Sequence, residues 1–210
     1  MEKALEKNLD AVLDAAVAEQ RIVGGVVIVL RDGATVYRRA VGLADRESKD
    51  PMQIDTIFRL ASVTKPIAAV AALRLVEAGK LDLEAPITRY LPDFRPKLGD
   101  REPTITVRQL LTHTSGLSYS FMQPSDGPYS KLGVSDGLAD PGLSFEDELP
   151  RLARAELFSE PGTQWGYSLG IDVLGAAIEK VTGAQLPAAI AELVTGPLGM
   201  TRTTFEAPTD

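Results

Sequence analysis

The sequence predicts an α/β (α+β) chain: an antiparallel sheet flanked by helices within residues 1–60, then a mainly helical region over 61–210. Three observations predict it. Apolar residues recur at helical spacing from Leu5 to Val17. Two β-branched runs then meet at an Asp-Gly turn. From residue 61 onward the apolar periodicity is helical and is punctuated by glycine and proline. No internal repeat, low-complexity tract or domain linker interrupts the chain, so its 210 residues read as a single domain.

In chain order, Leu5, Leu9, Val12, Leu13, Ala16 and Val17 alternate with Glu6, Lys7, Asp10 and Asp14, which predicts an amphipathic helix lying on the sheet. Gly25-Val26-Val27-Ile28-Val29-Leu30 is expected to be a strand buried on both faces. It turns at Arg31-Asp32-Gly33-Ala34 into Thr35-Val36-Tyr37-Arg38-Arg39-Ala40-Val41, forming an antiparallel hairpin. A polar, irregular stretch over 42–55 delivers the chain to a helix over 62–78, which Gly79 closes in the left-handed conformation. Pro66 is tolerable only in a first helical turn, which fixes the helix start near Ser62.

Pro86 and Pro92 mark short turns and surface helix over 82–94. Thr106-Val107-Arg108-Gln109 has the form of a capping box and opens a short helix through Leu110 and Leu111 that ends at Gly116. Residues 118–144 are rich in Gly, Pro, Ser and Asp and carry Tyr119, Phe121, Met122 and Tyr129. They read either as a lid or pocket wall or as a disordered surface loop. Helices follow over 146–157, around Ile171, Leu174 and Ile178 up to Gly183, and over 186–194 up to Gly196-Pro197.

Composition narrows the function classes. A net charge of −7 with intermixed signs carries no basic footprint for nucleic acid. With no cysteine and a single histidine, His113, neither disulfides nor a multi-histidine or thiolate metal site is expected. The charged N-terminus lacks the apolar stretch of a secretory signal, and no apolar run is long enough to span a bilayer. A cytoplasmic location is therefore the default expectation.

Two serines compete as nucleophile. Ser62 and Lys65 are three apart at a helix start, so they share a face with Cβ atoms about 5–6 Å apart. A serine hydroxyl needs a neighbouring base, and a lysine can be one if burial pulls its pKa towards neutrality. The apolar continuation Ala68-Ala69-Val70-Ala71-Ala72-Leu73 predicts that burial. Ser62 could instead be a plain helix cap beside a solvated lysine. Gly166-Tyr167-Ser168-Leu169-Gly170 fits the Gly-x-Ser-x-Gly elbow of α/β-hydrolases, but the only histidine lies upstream rather than downstream of it. Ser168 then reads as a cap, and His113 as a structural residue bonding nearby loops.

Taken together, Ser62-Val63-Thr64-Lys65, Leu110-Leu111-Thr112-His113-Thr114-Ser115-Gly116-Leu117, Pro161-Gly162 and Tyr167-Ser168 resemble, in order and context, the serine β-lactamase-like superfamily. The likeness is greatest to the class C β-lactamase-like carboxylesterases, or family VIII esterases, and runs over residues 5–205. It implies a β-lactamase/transpeptidase-like fold and a serine hydrolase acting on small carboxylic esters without a cofactor. Ser62 would be acylated, with Lys65 and Tyr167 as general base and acid and the Ser62 N–H as half of an oxyanion hole. Tyr129, Trp165 and Leu169 are the expected substrate-binding residues. Leu169 stands where β-lactamases place an asparagine, which favours esters over β-lactams.

The resemblance also places the third motif of the family, the remaining strands and the second oxyanion donor beyond position 210. The sheet is therefore expected to be incomplete in this chain, and a C-terminal complementary chain or symmetry mate to complete it. A β-lactamase or D-amino-acid peptidase on the same fold, and a non-catalytic binding or assembly fragment, are the alternatives.

Overall fold

The computed structural model describes residues 2–137 and 144–206, and the backbone divides into two compact units at residues 59 and 60. In the first unit, helix α1 (Glu2–Ala18) precedes strands β1 (Gly24–Arg31) and β2 (Ala34–Gly42). The strands pair antiparallel from Gly24 opposite Gly42 to Arg31 opposite Ala34, with a register shift between Val29 and Leu30. Asp32 (φ 49°) and Gly33 (φ 78°) are both left-handed, as a two-residue hairpin turn matching the strand twist requires.

The hairpin carries polar anchors on α1. Tyr37 donates to Asp10 Oδ1 at 2.7 Å, and Arg39 forks onto Asp10 at 2.8 Å and Asp14 at 2.6 Å. Those contacts hold the Asp10 carboxyl below its ordinary range, the Tyr37 hydroxyl contributing most. The expectation that β1 is buried on both faces is corrected. Ile28 and Leu30 are exposed, because among the described residues the sheet has two strands. Val12, expected on the apolar stripe of α1, also faces solvent.

The second unit is helical. Its core gathers α2 (Thr64–Glu77), α3 (Val107–Leu111), α6 (Gly170–Thr182) and α7 (Leu186–Ile190), with α4 (Pro128–Leu132) and α5 (Phe145–Ala153) inserted before α6. Pro66 sits in the first turn of α2, and Gly79 closes that helix at φ 67°. Both parts of the capping box on α3 form, with Thr106 Oγ1 accepting from Gln109 N and Gln109 Oε1 from Thr106 N. The helix ends at Leu111 rather than Gly116, and His113 already departs at φ 55°.

Helix α6 is the hub of this unit. It packs against α2, α3 and α7 and buries Ile171, Val173, Leu174, Ala177 and Ile178. Gly170 lets the Leu110 backbone approach, and Gly183 closes the helix at φ 71°. After α7 the backbone widens into a π-helical turn over Ala191–Thr195 instead of continuing as α-helix. The expected long loop holds a 3₁₀ turn at Ser120–Met122 and α4; its residues 138–143 lie outside the described residues. No helix among the described residues is long and apolar enough to cross a membrane.

Candidate active site

Ser62 lies in a 3₁₀ turn, Ala61–Val63, that runs directly into α2. Ala61 is left-handed at φ 46°, so the backbone turns sharply just before the serine. Lys65 follows in the first turn of α2, and its Nζ donates to Ser62 Oγ at 3.4 Å. From the far side of the sequence, the Tyr167 hydroxyl donates to the same oxygen at 2.7 Å. The three residues expected to act together therefore converge on one atom, and Ser62 is exposed.

Tyr167 is placed by a ladder between two loops. Residues 113–116 run beside 158–166: Phe158 N donates to Gly116 O at 2.8 Å, Gly162 N to Thr114 O at 2.7 Å and Gly166 N to His113 O at 2.8 Å. Gly116, at φ 84°, has no Cβ to meet the Ser159 carbonyl, so this close approach depends on glycine. The His113 ring packs against Tyr167 at 4.9 Å. Its Nδ1 accepts from Ser168 N at 3.3 Å, which leaves Nε2 to carry the proton of the neutral ring. Burial, helped by the Lys65 charge, holds the His113 pKa down and keeps it neutral.

Lys65 overturns one expectation. Burial does pull its pKa down, but the Tyr119 and Tyr167 phenol oxygens offset this and leave the net value raised. The apolar helix does not enclose it, because Val63, Val70 and Leu73 are exposed and Lys65 is only half-buried. Lys65 is thus a cation at neutral pH. For Tyr167, burial pushes the pKa up, yet hydrogen bonds to Lys65 and Ser62 outweigh it and leave the phenol more acidic than usual. Lys65 Nζ stands 4.9 Å from the Tyr167 ring centroid and 5.5 Å from that of Tyr119.

Two residues at the site escaped sequence reasoning. Tyr119 is buried and stacks on Tyr167 at 5.3 Å, and burial raises its pKa against the pull of Lys65. Asp172, in the first turn of α6, is a carboxyl whose pKa burial raises while Lys65 opposes. The five-residue spacing of Asp172 from Tyr167, across a helix start, was the one available signal.

Of the expected substrate-binding residues, Trp165 is 69% exposed and meets His113 edge-on at 6.3 Å. Leu169 is buried at the start of α6, its N–H directed at Ser118 O. Tyr129 is 0% exposed and accepts from Ser118 N at 3.1 Å, so it reaches the site only through the segment carrying Tyr119. Ser168 is also fully buried, with its Oγ against His113 Nδ1 and accepting from Gly170 N, so the competing serine is enclosed. Among the described residues, no group of three or more His, Asp or Glu side chains is arranged to hold a metal ion.

The family model described as Beta-lactamase matches residues 9–210. The chain belongs to the Beta-lactamase family. Within this family it is 54% identical to esterase EstB of Burkholderia gladioli over 198 residues, which are 94% of this chain and 50% of EstB. It is 34% identical to lovastatin esterase of Penicillium rubens over 218 residues, covering 94% of this chain and 52% of that protein. Among solved structures, EstCE1, a hydrolase with promiscuous acyltransferase activity, superposes with TM-score 0.92 at 46% identity, over 94% of this chain and 52% of its own. Simvastatin synthase from Aspergillus terreus gives TM-score 0.72 at 32% identity, over 90% and 52%. The β-lactamase/transpeptidase-like fold is shared with these structures. The chain spans about half the length of the curated relatives it matches.

Proposed function

We propose that this chain carries the nucleophile half of a serine carboxylesterase that hydrolyses small carboxylic esters through an acyl-Ser62 intermediate. The observation that carries the reading is the convergence of Tyr167 and Lys65 on Ser62 Oγ. With Lys65 charged and the Tyr167 phenol acidified, Tyr167 is the proton acceptor, and Lys65 holds it and stabilises its ionised form. As Tyr167 takes the proton, Ser62 Oγ bonds to the ester carbonyl carbon. Charge then gathers on the carbonyl oxygen, where the Ser62 N–H serves as one donor. Tyr167 returns the proton to the departing alcohol oxygen as its bond to carbon breaks. Water repeats the sequence and frees the acid.

Esterase EstB and lovastatin esterase, as relatives, support the ester substrate class. Trp165 stands at the exposed rim, while Leu169 and Tyr129 support the site from beneath. A complementary C-terminal half is the partner this reading calls for, and the cytoplasm is the location it assumes. A second reading, transfer of the acyl group from Ser62 to an acceptor alcohol, is favoured by EstCE1 and by the 32% identical methylbutanoyltransferase of Penicillium citrinum.

The test is Ser62-dependent turnover of p-nitrophenyl acetate and labelling by a fluorophosphonate, with the chain alone and with a complementary C-terminal half. Neither activity in either form sinks the enzyme reading and leaves the chain as a binding or assembly fragment. Faster turnover of a chromogenic cephalosporin than of esters moves the assignment to a β-lactamase.

A further inference from the structure

Five rings follow one another in a row at the candidate site. Trp165 meets His113, His113 meets Tyr167 at 4.9 Å, Tyr167 stacks on Tyr119 at 5.3 Å, and Tyr119 stacks on Phe121 at 4.7 Å. The inner rings are engaged: Tyr167 holds Ser62, Tyr119 lies under Lys65, and His113 receives Ser168 N. The end rings are open. Phe121 is 55% exposed, as is Met122 beside it, and neither has a task in the chemistry at Ser62.

The two ends differ in geometry. On the Trp165 side the stack is broken, because His113 is tilted 45° from Tyr167 and Trp165 stands 71° from His113. On the Phe121 side the planes stay close to parallel, 29° between Tyr167 and Tyr119 and 23° between Tyr119 and Phe121. A parallel stack that ends in an exposed ring presents its next place to a flat π-system. The presenting ring is already held by its neighbour, so little side-chain freedom is lost on binding. Met122, the next residue in the chain, is exposed to the same degree, and its polarisable thioether is of a kind that suits an aromatic edge.

We infer that Phe121, with Met122 next to it in the chain, forms an aryl-binding subsite at the open end of the ring row that begins at Tyr167, which selects esters carrying a planar aromatic ring over purely aliphatic ones. The inference rests on the serine-hydrolase reading only for where the ester carbonyl sits; the subsite itself is a matter of binding. Stacking of one further ring gives an expected preference of about three- to tenfold.

The experiment is calorimetric titration of the protein with two non-hydrolysable ketones of matched carbon count, phenylacetone and cyclohexylacetone, in parallel with fluorophosphonate labelling of Ser62. Phenylacetone is expected to bind about three- to tenfold tighter than cyclohexylacetone. The preference should vanish in Phe121→Leu and return in Phe121→Tyr. Equal affinity for the two ketones, including no measurable binding of either, overturns the inference, as does a preference that survives Phe121→Leu. Aryl preference without labelling, whether the chain is alone or with a complementary C-terminal half, keeps the subsite and removes the hydrolase reading. Labelling without aryl preference does the reverse.

Discussion

Replacing Lys65 by methionine tests how Tyr167 is activated, because it keeps an unbranched side chain only one atom shorter and removes its charge. Lys65 Nζ and the Tyr167 oxygen both contact Ser62 Oγ, at 3.4 and 2.7 Å, so they are no more than about 6 Å apart. A unit charge at that distance is worth about 0.7 kcal/mol in bulk water and about 3 kcal/mol at the effective dielectric of a partly buried site. The cation favours the phenolate, so its removal raises the Tyr167 pKa. The proton acceptor then becomes competent only at higher pH. The rate of Ser62 labelling by a fluorophosphonate, followed from neutral to alkaline pH, should keep its rising limb in Lys65→Met. The midpoint should move upward by between about half and two pH units. An unmoved or downward-shifted limb refutes the role given to Lys65. Loss of labelling at every pH shows that Lys65 itself takes the proton and refutes the role given to Tyr167.

Other outcomes follow from the same geometry. Ser62→Ala should abolish fluorophosphonate labelling while Ser168→Ala retains it, as peptide mass spectrometry would read. Thr106→Ala removes one part of the capping box on α3 and should cost about 1 kcal/mol in urea denaturation. Burial raises Asp172 above its ordinary value of 3.8, with Lys65 opposing, so the folded chain holds that proton more tightly than the unfolded one. The stability this confers is complete below 3.8 and is lost as pH rises through the folded value. Asp172→Asn should therefore raise the urea midpoint at about pH 7 and leave it unchanged at about pH 3.

Signals that depend on a few neighbouring residues were legible in the sequence. Asp32-Gly33, Pro66, Gly79, Thr106 with Gln109, and Gly183 each dictate local backbone geometry, and each stands where that geometry is needed. Ser62 and Lys65 were legible as a pair because helix geometry alone brings them together. Tyr167 is 105 residues from Ser62, and only the order of the motifs connected them. Burial of β1 was misread because an apolar run records what a strand can pack against, not what lies beside it. The Lys65 pKa departs from expectation for a related reason: the opposing contributions come from Tyr119 and Tyr167, and Tyr119 belongs to a loop whose course no periodicity predicts. Asp172 is a first-turn acid, a common and favourable residue at a helix start, and only the fold shows that it acts on the same surroundings as Lys65.

Ala61 has a consequence for how this sequence can drift. A residue with a side chain held at φ 46° carries a strain of about 1–2 kcal/mol, which glycine would escape and a β-branched residue would worsen. Position 61 is therefore a filter: in a saturation library screened for folded protein, glycine, alanine, asparagine and aspartate should survive, while valine, isoleucine and threonine should be depleted. Glycine at this site would relax the folded turn yet widen the range of shapes open to the unfolded chain. Alanine is the smallest residue that still limits that range, so the turn before the serine trades ease of folding against firmness of aim.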